Sequence, residues 1–146
     1  MKREIKFQIK ALKKLGKGLK VYYDKSGSLT YLVPDECRAV LIYKRDFFLD
    51  TDQLYPNNTL ADMFRPENLS ATYKLKISDD MKKTNSVTAL ALVCDQFTTW
   101  VNEKWFKELK DKSALIYAKD EKSPVYLVHN NIIYAVIMPI NLNEKD

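Results

Sequence analysis

Apolar and polar residues alternate through "EIKFQI", residues 4–9, and a period of two predicts a strand with Ile5, Phe7 and Ile9 on one face. Helical spacing takes over in "IKALKKLGKG", where Ile9, Leu12 and Leu15 share a stripe and Gly16 and Gly18 supply a stop. This short helix carries Lys10, Lys13, Lys14 and Lys17 away from the core. "LKVYYD" and "SLTYLV" are strand-like, and Gly27 in the intervening "KSG" is hairpin chemistry, since glycine reaches positive φ without a steric penalty. "PDEC" forms a corner before the strand "RAVLIYK". Residues 1–50 thus read β, α, β, β, β.

The periodicity weakens over 46–70, which contains Pro56, Pro66 and several Asn and Asp residues and reads as an irregular connection. A short strand at 47–49 and a helical turn at 60–64 are expected inside it. Phe47, Phe48, Leu54, Tyr55, Leu60, Met63 and Phe64 need burial there, so it is not a simple linker. Beyond it, "ATYKLKIS" alternates as a strand and "SVTALALVC" suits a buried strand, with a helix start as the alternative. In "DQFTTWVNEKWFKELKD", Phe97, Val101, Trp105 and Leu109 recur every four residues, which predicts a helix capped by Asp95. Asn102, Lys104, Lys107 and Lys110 occupy its other face beside Glu103 and Glu108. "SALIYAK", "PVYLVH" and "IIYAVIMPI" follow as strands separated by the turns "DEKS" and "NN", so residues 71–140 again read β, α, β, β, β.

A chain of 146 residues with 46% hydrophobic content is long enough for one domain with a real core. It has no signal-peptide core and no apolar run near the roughly 20 residues that cross a bilayer, so a cytoplasmic protein without a membrane partner is expected. Cys37 and Cys94 form no CxxC pair, and His129 is the only histidine. Free, mostly buried thiols are expected rather than a disulfide or a zinc site.

Charge is unevenly distributed. Residues 1–20 hold eight basic residues against one acid, Glu4, whereas the rest of the chain holds sixteen basic residues against eighteen acidic ones. Such an end suits a polyanion, nucleic acid above all, or is a solvated face that keeps the protein soluble.

"GLKVYYDKSGSLTYLVPDECRAVLIY" resembles the early hairpin region of bacterial DNA polymerase III beta sliding clamps. There a strand, an Asp/Gly turn, a Leu-containing strand and an Ala-Thr-Asp-x-His-Arg-type corner follow in that order. Asp35 and Arg38 match the corner's Asp and Arg, while Cys37 stands where histidine is usual and Val33-Pro34 replaces Ala-Thr. "SPVYLVHNNIIYAVIMPINL" is similar to the family's last two strands: Met138, Pro139 and Ile140 match its ending, and Asn141 departs from the expected arginine. The resemblance implies an α+β fold, a single clamp-like domain over 1–146. Its two βαβββ halves (about 1–50 and 71–140) have mostly antiparallel sheets and are joined by the irregular 46–70 connection. It also implies helices that face double-stranded DNA without base readout, through Lys10, Lys13, Lys14 and Lys17 on the first and Lys104, Lys107 and Lys110 on the second. Met138, Pro139 and Ile140 become candidates for gripping a partner's apolar motif. Family clamps carry three such domains per chain, so a ring here requires self-association into a homo-oligomer. Neither Gln53 nor Gln96 begins a clamp-binding peptide, which makes the chain more like a clamp than a clamp client.

Catalytic readings find little support. His129 lies beside a predicted turn without an obvious partner. Asp46, Asp50 and Asp52 could hold a divalent cation, although a turn-rich acidic loop accounts for them, and Gly16 and Gly18 make no phosphate loop. Trp100, Trp105, Phe97 and Phe106 are expected in a helix core, with a stacking role for an exposed ring as the alternative. The expectation is a non-catalytic DNA-binding protein without cofactor, acting with replication or host proteins in replication or a phage or plasmid process. The alternative is a small interaction or inhibitor protein that targets host machinery without binding DNA.

Overall fold

The alternation at 4–9 does not become a strand. In the computed structural model, which describes residues 2–142, these residues lie inside helix α1, Arg3–Gly16. The face that α1 buries is Phe7, Gln8 and Ala11, a helical stripe, while Ile5 is exposed and Ile9 half-buried. A buried glutamine interrupts the hydrophobic pattern, and this is why the period misled. The Gln8 carboxamide donates to the carbonyls of Glu4 (3.1 Å) and Asp46 (2.8 Å) and accepts from the Phe48 amide (2.7 Å), so its polarity is fully used. Burying Phe7 beside it contributes about 2 kcal/mol. The helix ends at Gly16, within the expected Gly16-Gly18 stop, and Gly18, at φ 76°, lets its own amide reach the Leu15 carbonyl and the Leu19 amide the Lys14 carbonyl, a Schellman closure.

The chain divides into two compact units between Arg65 and Pro66. In the first, α1 packs on β2 (Thr30–Asp35) and β3 (Arg38–Tyr43). With β1 (Tyr22–Lys25) ahead of them and β4 (Tyr55–Pro56) after, the strand order is β4-β1-β2-β3. The β4 to β1 pairing is parallel, and β1-β2 and β2-β3 are antiparallel. Gly27, at φ 82°, turns the β1-β2 hairpin as predicted. The Asp35-to-Arg38 corner is a two-residue turn in which Glu36 takes φ 58°, a conformation costly for a residue with a side chain. The 46–70 segment contains no strand at 47–49. It has short 3-10 turns, β4 and helix α2, Leu60–Met63, which falls where the helical turn was expected. Leu49 and Leu54 enter a core cluster with Ala11 and Val21, and Leu60 and Phe64 are also buried. Phe48 and Tyr55, expected to need burial, remain about half exposed.

The second unit holds β5 (Tyr73–Lys83), β6 (Thr88–Val93), β7 (Thr98–Asn102), helix α3 (Glu103–Leu109), β8 (Leu115–Ala118), β9 (Val125–His129) and β10 (Ile132–Ile137). Their order is β10-β9-β8-β5-β6-β7, antiparallel throughout. The predicted helix from Asp95 begins only at Glu103. Thr98, Thr99, Trp100 and Val101 are β-branched or aromatic and pair with β6, so strand preference prevails over the four-residue spacing. Asn102, not Asp95, caps α3 by accepting from the Trp105 amide at 3.2 Å. Asn130 and Asn131 both take positive φ, the two-residue turn that the "NN" pair predicts. Asp120 accepts from the amides of Lys122 and Ser123 to form the other. The fold class is α+β, with three helices and ten strands among the described residues, none of those helices long and apolar enough to cross a membrane. Cys37 is exposed and Cys94 half-buried, a correction to the expectation of buried thiols, because Cys37 occupies the outer position of the Glu36-Cys37 turn.

Candidate nucleic-acid interface

The lysines of α1 fall into two sets. Lys13 and Lys17 project into solvent with Lys6 along the outer face of the helix, where a shallow groove, bordered on its other side by Lys10 and Lys14, runs past Ile9 and Leu19. Lys10 and Lys14 turn back towards the β2-β3 corner, where the Asp35 carboxylate is only 5% exposed. Lys10 Nζ donates to Asp35 Oδ2 at 2.7 Å and Lys14 Nζ to Oδ1 at 2.9 Å, while the Arg38 guanidinium reaches Oδ2 at 3.1 Å. Arg38 also lies over the Phe7 ring, 4.7 Å from its centroid, so the corner and the helix hold each other. Burial by itself pushes the Asp35 carboxyl up, but the hydrogen bonds from Lys10, Lys14 and Arg38, with the Lys14 charge, outweigh it and lower its pKa to about 2. Three cations around one carboxylate leave this corner positive.

Beside it the backbone of β1 brings Tyr22 opposite Tyr55 of β4, with ring centroids 5.9 Å apart and planes tilted by 50°. Lys20 Nζ sits 5.0 Å from the Tyr55 centroid. Lys10, Lys14, Lys20 and Tyr22 share a cleft of about 340 Å³ floored by Phe7 and Val21. Sequence alone did not indicate this cleft, whose one tyrosine, Tyr22, meets Tyr55 only through a parallel pairing of distant segments. The interleaving of Lys20 with Tyr22 was the available signal.

On α3 the lysines are differently placed. Lys107 pairs with Glu103 at 3.1 Å, and Lys110 donates to the backbone carbonyls of Asp111 and Lys112. Lys104 is exposed. The sequence from Pro66 onward balances eleven basic residues with eleven acidic ones, so the net positive charge belongs to the first unit.

The carboxy-terminal candidates also separate. The Ile140 amide donates to the Trp100 carbonyl at 2.7 Å, drawing the segment alongside β7. Pro139 and Ile140 line a cleft of about 360 Å³ with Trp100, Lys122 and Leu142, whereas Met138 is half-buried and not among its walls. Trp100, expected in a helix, stands on a strand with Lys82 Nζ 4.9 Å from its ring.

The other candidate chemistry is dispersed. His129 ends β9, exposed, with Nδ1 3.5 Å from the Ser113 hydroxyl. In the acidic loop the Asp50 carboxylate accepts from the Asp52 amide, and Asp46 lies 3.7 Å from Arg45. Among the described residues no group of three or more His, Cys, Asp or Glu side chains is placed to hold a metal ion. Compared with known proteins, the chain matches no family model, no curated protein and no solved structure.

Proposed function

We propose that the chain is a non-catalytic, clamp-like protein that binds double-stranded DNA without reading its sequence, in replication or a phage or plasmid process. The observation that carries this reading is the exposed lysine face of α1, Lys6, Lys13 and Lys17, in a unit that holds all the net positive charge. Mobile ammoniums in water suit phosphates, which demand charge rather than fixed geometry. Lys10 and Lys14 support that face from behind through Asp35. On α3, where a carboxylate and carbonyls already engage Lys107 and Lys110, only Lys104 is a comparable contact. As a clamp the chain must self-associate to encircle a duplex, and light scattering on the eluting protein, with and without DNA, measures that step.

The test of DNA binding is duplex affinity against salt. Lys13→Glu combined with Lys17→Glu is expected to weaken binding equally for all sequences and to lower the slope of log K against log salt by about 2. An unchanged slope removes these lysines from the contact surface.

A second reading rests on the cleft formed by Trp100, Pro139, Ile140 and Leu142. Trp100, Pro139, Ile140 and Leu142 give it an apolar side and Thr98, Glu121, Lys122 and Asn141 a polar one, which suits a short segment of a replication or host protein that carries an apolar residue among polar ones. A protein that docks such a partner one-to-one and shows no duplex affinity even at low salt is the interaction or inhibitor protein of that reading.

A further inference from the structure

The cleft between α1 and Tyr22 of β1 is not used by the proposed duplex contact of Lys6, Lys13 and Lys17 on the outer face of the same helix. We propose that this cleft is a nucleotide-binding site, taking one unpaired nucleotide with its phosphate among Lys10, Lys14 and Lys20 and its base against the Tyr22 ring, which Tyr55 backs from outside the cleft. The inference goes beyond the duplex reading, because it assigns a different ligand form to different residues.

Charge comes first. Asp35 holds Lys10 and Lys14 at 2.7 and 2.9 Å, yet their side chains remain 46% and 33% exposed, so each ammonium keeps donor capacity towards the cleft. With Arg38 on the same carboxylate, the cluster retains a positive surplus, and Lys20 adds a third ammonium to the cleft. Because a buried carboxylate already fixes two of these side chains, little conformational freedom remains to be lost when an anion arrives. Asp35 is therefore a positioning residue for the phosphate site.

The aromatic wall gives the ligand its second half. Tyr22 is 41% and Tyr55 47% exposed, although both lie in paired strands. Lys20 is stationed at the Tyr55 ring, so basic and aromatic groups interleave along one rim, the combination by which single strands are gripped without sequence readout. Size decides between duplex and single nucleotide. A volume of about 340 Å³ lies at the small end of ligand pockets, room for one base and its phosphate and not for a helix of paired bases. Glu36 and Asn57 at the walls offer hydrogen-bonding groups to a base edge.

An internal nucleotide of a single strand and a free nucleoside monophosphate share this chemistry, and the experiment separates them. Anisotropy of a labelled single strand of mixed sequence is measured with the full chain, alongside the same sequence as a duplex, and unlabelled deoxycytidine monophosphate is used as competitor. Tyr22→Ala is expected to weaken single-strand binding about tenfold, Tyr22→Phe to retain it, and Lys20→Gln to weaken it severalfold, with duplex affinity unchanged in all three. Displacement by the monophosphate at the concentration of nucleotide in the strand identifies the free nucleotide as a ligand; displacement only by strand identifies an unpaired stretch. Full single-strand affinity in Tyr22→Ala, an equal loss for duplex and single strand, or no binding of either single strand or monophosphate overturns the site. Tyr22-dependent single-strand binding without any duplex binding sustains the site and overturns the duplex reading instead.

Discussion

The lysines of α1 and those of α3 look alike in sequence and differ in what surrounds them. On α3, Lys107 meets a carboxylate one turn away on the same helix and Lys110 folds over the helix end onto backbone carbonyls. On α1, one carboxylate from the β2-β3 corner serves two lysines and an arginine, and the outer lysines are left in water. Lysine spacing on a helix is therefore a poor guide to a polyanion surface, whereas local balance is a good one. The Asp35 carboxylate that serves α1 is also buried, so it ties the helix to the strands as well as compensating charge.

The comparison breaks first at Asp35. Asp35→Ala removes the shared acceptor and leaves Arg38, itself 7% exposed, facing two ammoniums. The lysines can swing into water, so the expected loss is about 3 kcal/mol, at the lower end for breaking a buried ion pair, read as a lower denaturant midpoint at unchanged slope. The same carboxyl sets the acid limb of stability. Its folded pKa of about 2 lies below the ordinary 3.8, so its contribution is complete above about pH 4 and is lost as pH falls towards 2. That contribution is about 2 kcal/mol, and Asp35→Asn should flatten stability across this window. An acid limb unchanged in Asp35→Asn would mean that the cluster does not hold α1.

Most of the strands were legible because their chemistry is local. The β1-β2 turn needs Gly27, the β9-β10 turn needs Asn130 and Asn131, and "RAVLIY" is a short, continuous apolar run bounded by a turn, which suits a buried strand. The strand expected at 4–9 and the helix expected from Asp95 both failed where a long-range partner decided the outcome. Gln8 is helical core only because the Asp46 carbonyl and Phe48 amide come to it, and residues 98–102 are extended because β6 is there to pair with them. The candidate site divides in the same way: Lys13 and Lys17 could be named from spacing, but Asp35 could be named only as part of a corner motif. The Tyr22-Tyr55 wall, built from residues thirty-three apart in the chain, had no local signature.

Each helix also has one neutral anchor, which sharpens the contrast. Gln8 fixes α1 to the segment after β3. In α3 the Tyr134 hydroxyl donates to the Leu109 carbonyl and accepts from the Asp111 amide, both at 2.9 Å, closing the helix end. Gln8→Leu fits the space but removes all three hydrogen bonds of a buried side chain, with an expected loss of about 2 kcal/mol. Tyr134→Phe removes one hydroxyl and its two hydrogen bonds, against three for Gln8, and should lose about 1 kcal/mol. Amide exchange separates the two: in Gln8→Leu the Phe48 amide should lose protection, and in Tyr134→Phe the Asp111 amide.

The smallest effect tests the lysines themselves. Lys107 and Glu103 form an exposed pair across one helical turn, with Lys107 70% exposed, and such pairs contribute about 0.3 kcal/mol. Lys14 binds a carboxylate that is almost wholly buried and has Lys10 and Arg38 as further donors, so Lys14→Ala should lose more, about 1 kcal/mol, but much less than loss of the carboxylate itself. The two substitutions remove the same side chain from the same kind of element, so unequal losses isolate what the burial of the partner adds. Screening supplies an independent check: in molar salt the Lys107→Ala difference should vanish, while most of the Lys14→Ala difference survives, because ions reach the surface of α3 and not the corner beneath α1. Equal losses with equal salt dependence would mean that Asp35 holds its lysines no more firmly than Glu103 does. The distinction between an anchored and a merely neutralised helix would then be void.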